Sequence, residues 1–257
     1  MLLAKLRRAS DVCLFGRRRW PNVAARRRGR FRAHGVLATA GHICHHFTQT
    51  LGNWRPERWR IPITAIEGEF VTLKVGYIIG SLSASSINRT LAKAIVRLAP
   101  AELDLEEIRI AELPVYNRDF DADYPPEGTA LKEAIASVDA VLFITPEYNR
   151  DIPGSLKNAI DWASRPWGTN SFDRKPSAVI GTSPGKIGTA VAQQNLRGIL
   201  SYCNAPQMSA PEAYIQFTPG LINDDGEVAD ASTEQFLRDF IDEFSRFITR
   251  ALTVLPR

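Results

Sequence analysis

Residues 139–145, Asp-Ala-Val-Leu-Phe-Ile-Thr, constrain the fold more than any other stretch, because the five central positions are all apolar. A strand with one face in water alternates; one with no polar face must be covered on both sides. The flanking pattern agrees. Leu73 to Ile79 is a β-branched run of strand length that stops at Gly80. Leu91, Ala92, Ile95, Val96 and Ala99 then recur at helical spacing, and Pro100 ends that run. The same reading predicts strands over 105–110, 177–182 and 212–217. It predicts helices through Leu131, Ala134, Ile135 and Val138, over 153–163 with Pro at the first turn, and over 187–202. Residues 112–128, with Pro114, Pro125 and Pro126, read as a long loop. A last helix carries Phe236, Phe240, Ile241, Phe244, Phe247, Ile248 and Leu252 on one stripe, with Asp239, Asp242, Glu243 and Arg246 opposite. Its acidic far side suits a helix covering a core, not one lying on a membrane.

Strand and helix alternating in this way predict an α/β fold: a doubly wound, five-stranded parallel sheet with helices on both faces. Five strands in this length suit the flavodoxin-like order 2-1-3-4-5 better than a six-stranded dinucleotide fold. In such a sheet the ligand sits where the strand order reverses, at the loops after strands 1 and 3.

Charge divides the chain. Residues 1–68 hold 14 Lys and Arg against Asp11, Glu57 and Glu67, a balance of +11; the remainder carries −7, giving the net +4. The body, residues 71–257, is therefore acidic, and nucleic-acid binding is not expected of it. Residues 1–70 form an Arg-rich extension, with Arg17 to Arg19, Arg26 to Arg28, Arg30 and Arg32. It fits a nucleic-acid arm, an organellar transit peptide, or upstream sequence translated from a start codon set too early. The last reading is favoured. Apart from Met1 the only methionine is Met208, and Glu67-Gly68-Glu69 can be encoded as a purine-rich ribosome-binding site ahead of Val71, whose codons include GTG. His42, Cys44, His45 and His46 cluster in sequence but lack a scaffold, so no metal site is expected. Cys13, Cys44 and Cys203 are scattered, with no C-x-x-C pair. That excludes a disulfide scaffold and predicts a reducing compartment, the cytoplasm, with organellar import an option only if residues 1–70 are native. No run approaches 18 uncharged apolar residues, so no membrane helix is expected.

The loop after strand 1 reads Gly80-Ser81-Leu82-Ser83-Ala84-Ser85-Ser86-Ile87-Asn88 and runs straight into a helix. It matches neither G-x-x-x-x-G-K-[ST] nor G-x-G-x-x-G. Its hydroxyls and amide precede unpaired helix N–H groups and a positive dipole end, which hold a phosphate without a cation. Capping needs only one such serine. The loop after strand 3 reads Pro146-Glu147-Tyr148-Asn149-Arg150-Asp151-Ile152-Pro153-Gly154. Two prolines stiffen it, Tyr148 offers an aromatic face and Asn149 both donor and acceptor, the needs of a flat heterocycle. A plain strand–helix turn with a surface tyrosine would read the same. Phosphate at one loop and ring at the other match the outline of FMN.

With these residues in view, the body resembles the NADPH-dependent FMN reductase family, in the branch of bacterial chromate and quinone reductases. The resemblance rests on Gly80-Ser81-Leu82 with Ser86 and Asn88, on Pro146-Glu147-Tyr148-Asn149, and on Pro153-Gly154-Ser155-Leu156-Lys157-Asn158-Ala159-Ile160-Asp161-Trp162. It implies that Ser81, Ser83, Ser86 and Asn88 hold the FMN phosphate and that Pro146, Glu147, Tyr148 and Asn149 line the isoalloxazine. Ser183, Pro184 and Gly185 would close the ring's other edge. Glu147 itself reads as structural, as does the pair Lys157 and Asp161, spaced i,i+4. Many family members carry Arg where Ser83 stands, which leaves NADPH against NADH open. The resemblance further implies hydride transfer from NADPH or NADH through FMN to a quinone, flavin, azo or metal-oxyanion acceptor, with ping-pong kinetics and no catalytic side chain. It also implies a homodimer or homotetramer, with Arg197 and Glu212 as charged groups to watch between subunits. The loop at 165–172 would border the substrate opening or pack on a second subunit. The competing readings are a flavodoxin-type electron carrier and a non-catalytic nucleic-acid module using the basic arm.

Overall fold

A computed structural model describes residues 72–255. The Arg-rich extension, the proposed start near Val71 and the His42 to His46 cluster lie outside the described residues. Strands β1 (Leu73–Ile79), β2 (Leu103–Glu107), β3 (Ala140–Ile144), β4 (Ser177–Ser183) and β5 (Ala213–Gln216) form one parallel sheet in the order 2-1-3-4-5. The helices are α1 (Ile87–Leu98), α2 (Pro126–Ala136), α3 (Gly154–Ala163), α4 (Ala190–Tyr202) and α5 (Ala231–Val254). This is the flavodoxin-like fold.

Every residue of β3 is buried, which accounts for its unbroken apolar run. One face of the sheet packs on α1 and α5: Val75, Leu142 and Ile180 meet Leu91, Ile95, Leu237, Phe240, Ile241, Phe244 and Ile248. Each such side chain contributes about 1.5–3 kcal/mol on burial. The other face packs on α2, α3 and α4, where Val141, Phe143 and Val179 meet Leu131, Ile135, Leu156, Ile160 and Leu196. Gly181 in β4 lets neighbouring backbone come close, since a Cβ there would run into the Thr145 carbonyl oxygen.

The boundaries differ from the sequence reading in instructive places. Strand 2 was expected over 105–110, but β2 ends at Glu107. Ile108 and Ile110 are buried as their apolar character demands, yet they lie past the ladder, where the Ile108 N–H donates to the Tyr77 carbonyl. Helix α2 starts at Pro126, inside the expected loop, because proline fits the first helical turn; a 3-10 turn over Arg118–Ala122 also interrupts that loop. Helix α4 starts at Ala190, not 187, because Gly188 takes a φ of +58°.

Candidate functional site

Parallel strands bring the loops after β1, β3 and β4 to one edge of the sheet, and β1, β3 and β4 are consecutive neighbours. The first two loops are stitched together. The Gly80 N–H donates to the Ile144 carbonyl at 2.8 Å, and the Ser155 hydroxyl, in the first turn of α3, donates to the Gly80 carbonyl at 2.9 Å. A Cβ on Gly80 would lie 3.0 Å from Thr145 Oγ1 and 3.4 Å from Pro146 Cδ, so the two loops approach as closely as glycine allows. The serine loop and the tyrosine loop thus share one edge.

Within the serine loop, Ser81 is 4% exposed and its hydroxyl accepts the Ser83 N–H at 3.3 Å. Ser83 and Ser85 are exposed, their hydroxyls 3.3 Å apart. Ser86 is the N-cap of α1, with extended φ and ψ, and makes no side-chain capping bond. Its residue is only 8% exposed. A hydroxyl that makes no capping bond and no other hydrogen bond among the described residues, on a residue otherwise packed in, fits a loop shaped to take an anion at the free N–H groups of α1. The donor set therefore fits the phosphate of FMN.

Asn88 has a different place. Its Nδ2 donates to the Thr182 carbonyl and its Oδ1 accepts the Thr182 N–H, both at 3.0 Å, and the residue is 1% exposed. The amide clamps α1 to β4 and so sets the orientation of the serine loop; it faces Thr182, not the loop's hydroxyls.

The tyrosine loop is a tight turn. Tyr148 and Asp151 exchange two backbone hydrogen bonds of 2.9 Å, and Asn149 and Arg150 between them have φ of 52° and 66°. Positive φ at both central positions is the pattern of a type I′ turn, which Asn tolerates well. Pro146 is buried beneath it, whereas Tyr148 is 51% exposed and Asn149 is exposed, with its amide unbonded among the described residues. Tyr148 and Asn149 are thus presented outward at the sheet edge. Glu147 points the other way: its carboxylate accepts the N–H groups of Val191 and Ala192 at 3.0 and 3.2 Å and pairs with Arg150 at 2.9 Å. Thr189, the N-cap of α4, makes no side-chain capping bond, so Glu147 takes that part.

The third loop is held by its own atoms. The Ser183 hydroxyl donates to the Gly188 carbonyl at 2.8 Å and accepts the Gly185 N–H at 3.1 Å, while Pro184 accepts from Gln216 at 3.3 Å. Pro184 and Gly185 are exposed at the same edge.

The run Pro153 to Trp162 docks α3 rather than lining the site. Trp162 is fully buried and donates to the Pro114 carbonyl at 2.7 Å; Asn158 donates to the same oxygen at 2.9 Å and accepts the Tyr116 N–H at 2.8 Å. Tyr116 and Tyr124 meet the indole edge-on, with centroids 5.1 and 5.0 Å away. Lys157 and Asp161 form the expected i,i+4 pair at 2.7 Å. The loop at 165–172 follows directly from α3. Helix α3 carries the chain about 15 Å from the site edge, and the Ser171 N–H bonds the Ala163 carbonyl just before β4 begins. The loop thus begins away from the serine loop, and Arg165 lines a cavity of about 650 Å³ with Asp151 of the tyrosine loop, Lys157 and Asp161. Arg197 bonds the Met208 carbonyl through Nη1, while Glu212 accepts from Gln194.

Sequence reasoning missed one wall. Ser81, Leu82, Ser83 and Ala84 face Arg89, Glu107, Ile108 and Arg109 across a pocket of about 310 Å³. Arg89 pairs with Glu107 through two bonds of 2.8 and 3.0 Å, which also raise the Arg89 pKa. Placing residues 108–110 in a strand hid this arrangement; the alternation of Ile108, Arg109 and Ile110 was the available signal.

A flavodoxin-like sheet whose switch-point loops offer a hydroxyl-rich helix start and an outward tyrosine defines a flavin-nucleotide type of α/β protein. Comparison with known proteins narrows this. Residues 73–220 match the NADPH-dependent FMN reductase family. A 2-hydroxy-1,4-benzoquinone reductase of Burkholderia sp. is 43% identical over 178 residues, 69% of this chain and 97% of that protein. A quinone reductase of Pseudomonas putida is 44% identical over 175 residues, 68% of this chain and 94% of its own length. The solved structure of FerB, a flavoenzyme NAD(P)H:(acceptor) oxidoreductase of Paracoccus denitrificans, is 47% identical with a TM-score of 0.68, covering 70% of this chain and 98% of FerB. The chain belongs to the NADPH-dependent FMN reductase family and is an oxidoreductase of that class.

Proposed function

We propose that this chain is an FMN-dependent NAD(P)H:quinone oxidoreductase. One observation carries the site: Ser86, buried and at a helix start, makes no capping bond, in a loop stitched to the one that presents Tyr148. The names of the relatives support the acceptor class, as do the matched loops. Ser81, Ser83, Ser86 and the first N–H groups of α1 would hold the phosphate. Asn88 would keep that helix start in place through Thr182. Pro146, Tyr148 and Asn149 would line the ring, with Glu147 fixing their turn from behind, and Ser183, Pro184 and Gly185 would close its far edge. Held by these residues, FMN would supply the two-electron chemistry linking NAD(P)H to a quinone, flavin, azo or metal-oxyanion acceptor, in ping-pong alternation. The protein's part is orientation, and no side chain is required as acid or base. A homodimer or homotetramer is part of this reading, and exposed Trp167 and Tyr202 support it as apolar surface of the kind subunits cover.

An absorption spectrum before and after anaerobic NADPH and NADH tests the reading. A flavin spectrum bleached by either nucleotide, and restored by a quinone, supports it. Yellow protein that neither nucleotide bleaches makes the chain an electron carrier instead. Colourless protein with salt-sensitive DNA binding that is lost on deleting residues 1–68 makes it a nucleic-acid module. Light scattering reads the assembly.

A further inference from the structure

The pocket beside the serine loop contains a charge that nothing among the described residues answers. Glu107, the last residue of β2, engages Arg89 of α1 through both carboxylate oxygens, so those two charges cancel. Arg109 follows two residues later. Ile108 and Ile110 on either side of it are 4% and 5% exposed and packed in the core, which turns Arg109 outward into the pocket rim. Among the described residues it makes no hydrogen bond or ion pair, and the facing segment, Ser81 to Ala84, carries no charge. The pocket therefore holds one net positive charge, on a planar fork of donors suited to phosphate oxygens. It faces the loop that leads into the N-terminus of α1. Ser81 to Ala84 being uncharged, the segment just past β2 is the source of a cation at this pocket.

We propose that Arg109 is the counter-charge for a phosphate monoester dianion seated at the serine loop. The inference rests on the flavin-reductase reading above. Two molecules of that chemistry present such a group: FMN through its 5′-phosphate and NADPH through its 2′-phosphate.

The test uses the full chain, stripped of flavin, as wild type, Arg109→Gln and Arg109→Lys. FMN and riboflavin are titrated by flavin fluorescence, and the reconstituted proteins are assayed with NADPH and NADH. Losing one charge-assisted phosphate contact costs about tenfold in affinity. If the FMN phosphate is the partner, Arg109→Gln weakens FMN about tenfold and leaves riboflavin unchanged. If the NADPH phosphate is the partner, FMN affinity holds and kcat/KM falls about tenfold for NADPH but not for NADH. Arg109→Lys keeps most of the binding in either case, and added salt shrinks the difference. Arg109→Gln indistinguishable from wild type in both arms overturns the proposal while leaving the reductase reading intact. Wild type that binds no flavin overturns both. Arg109 is exposed, so unchanged melting of the variant shows that any loss is local.

Discussion

The Glu147 carboxylate accepts the Val191 backbone N–H at 3.0 Å, so a side chain from the tyrosine loop makes the capping bond that Thr189, the N-cap of α4, does not. Its side chain is 7% exposed and also pairs with Arg150 across the type I′ turn. One carboxylate thereby fixes the turn that presents Tyr148 and the helix that follows β4.

Replacing Glu147 with Ala should therefore cost stability before it costs chemistry. It leaves the first turn of α4 uncapped and frees Arg150 at a strained φ, for a loss of about 1–2 kcal/mol in urea unfolding. If Glu147 were instead a direct ring contact, Glu147→Ala would alter the flavin absorption bands at unchanged stability.

Ser86 predicts the reverse pattern. Because it makes no capping bond, Ser86→Ala should shift unfolding by less than about 0.5 kcal/mol. Loss of a hydroxyl from the phosphate site should meanwhile raise the FMN dissociation constant about tenfold or more, with riboflavin affinity unchanged. Equal losses of stability and binding would assign Ser86 to the helix alone.

The fold was legible because its signals are local or periodic. The unbroken run at Ala140–Ile144, the stripe of Phe240, Ile241, Phe244 and Ile248, and a serine-rich loop after a strand each point one way without tertiary knowledge. What stayed hidden depends on partners far along the chain. Asn88 sits among loop hydroxyls in sequence, yet its amide meets Thr182, 94 residues away. Glu147 reaches a helix 44 residues on. Arg109 lies beyond a strand end set by pairing with β1, where Tyr77 meets Glu107 in register. The loop at 165–172 shows the same limit: placing it requires knowing that α3 runs antiparallel to the strands.

Trp162 should be the most costly single truncation on α3. It is fully buried among Tyr116, Phe120 and Tyr124, and its Nε1–H holds the Pro114 carbonyl. Trp162→Ala should cost about 3–5 kcal/mol, read as a fall in the urea midpoint. Trp162→Phe keeps most of the packing but loses the hydrogen bond, for about 1–2 kcal/mol. Near-equal losses for the two variants would show that the bond to Pro114, and not the aromatic packing, secures the loop.

Tyr124 sets an alkaline limit. Burial, with smaller contributions from Asp121 and Tyr116, pushes its phenol up from 10.0 to about 12. Its hydroxyl donates to the Trp162 carbonyl and lies 3.2 Å from that of Arg165. A folded pKa above the unfolded one means the native state holds the proton more tightly. The contribution is complete below pH 10 and disappears as pH rises through about 12. Lys132 works in the opposite sense: burial lowers its pKa, so its charge weighs less on the fold as pH rises. Tyr77, Tyr116 and Tyr214 are also raised by burial and add to the alkaline loss. Unfolding free energy followed from pH 9 to 12 should therefore decline, and Tyr124→Phe should flatten that decline more than Tyr214→Phe does. A Tyr124→Phe profile parallel to wild type would mean that this phenol titrates alike in the folded and unfolded chain.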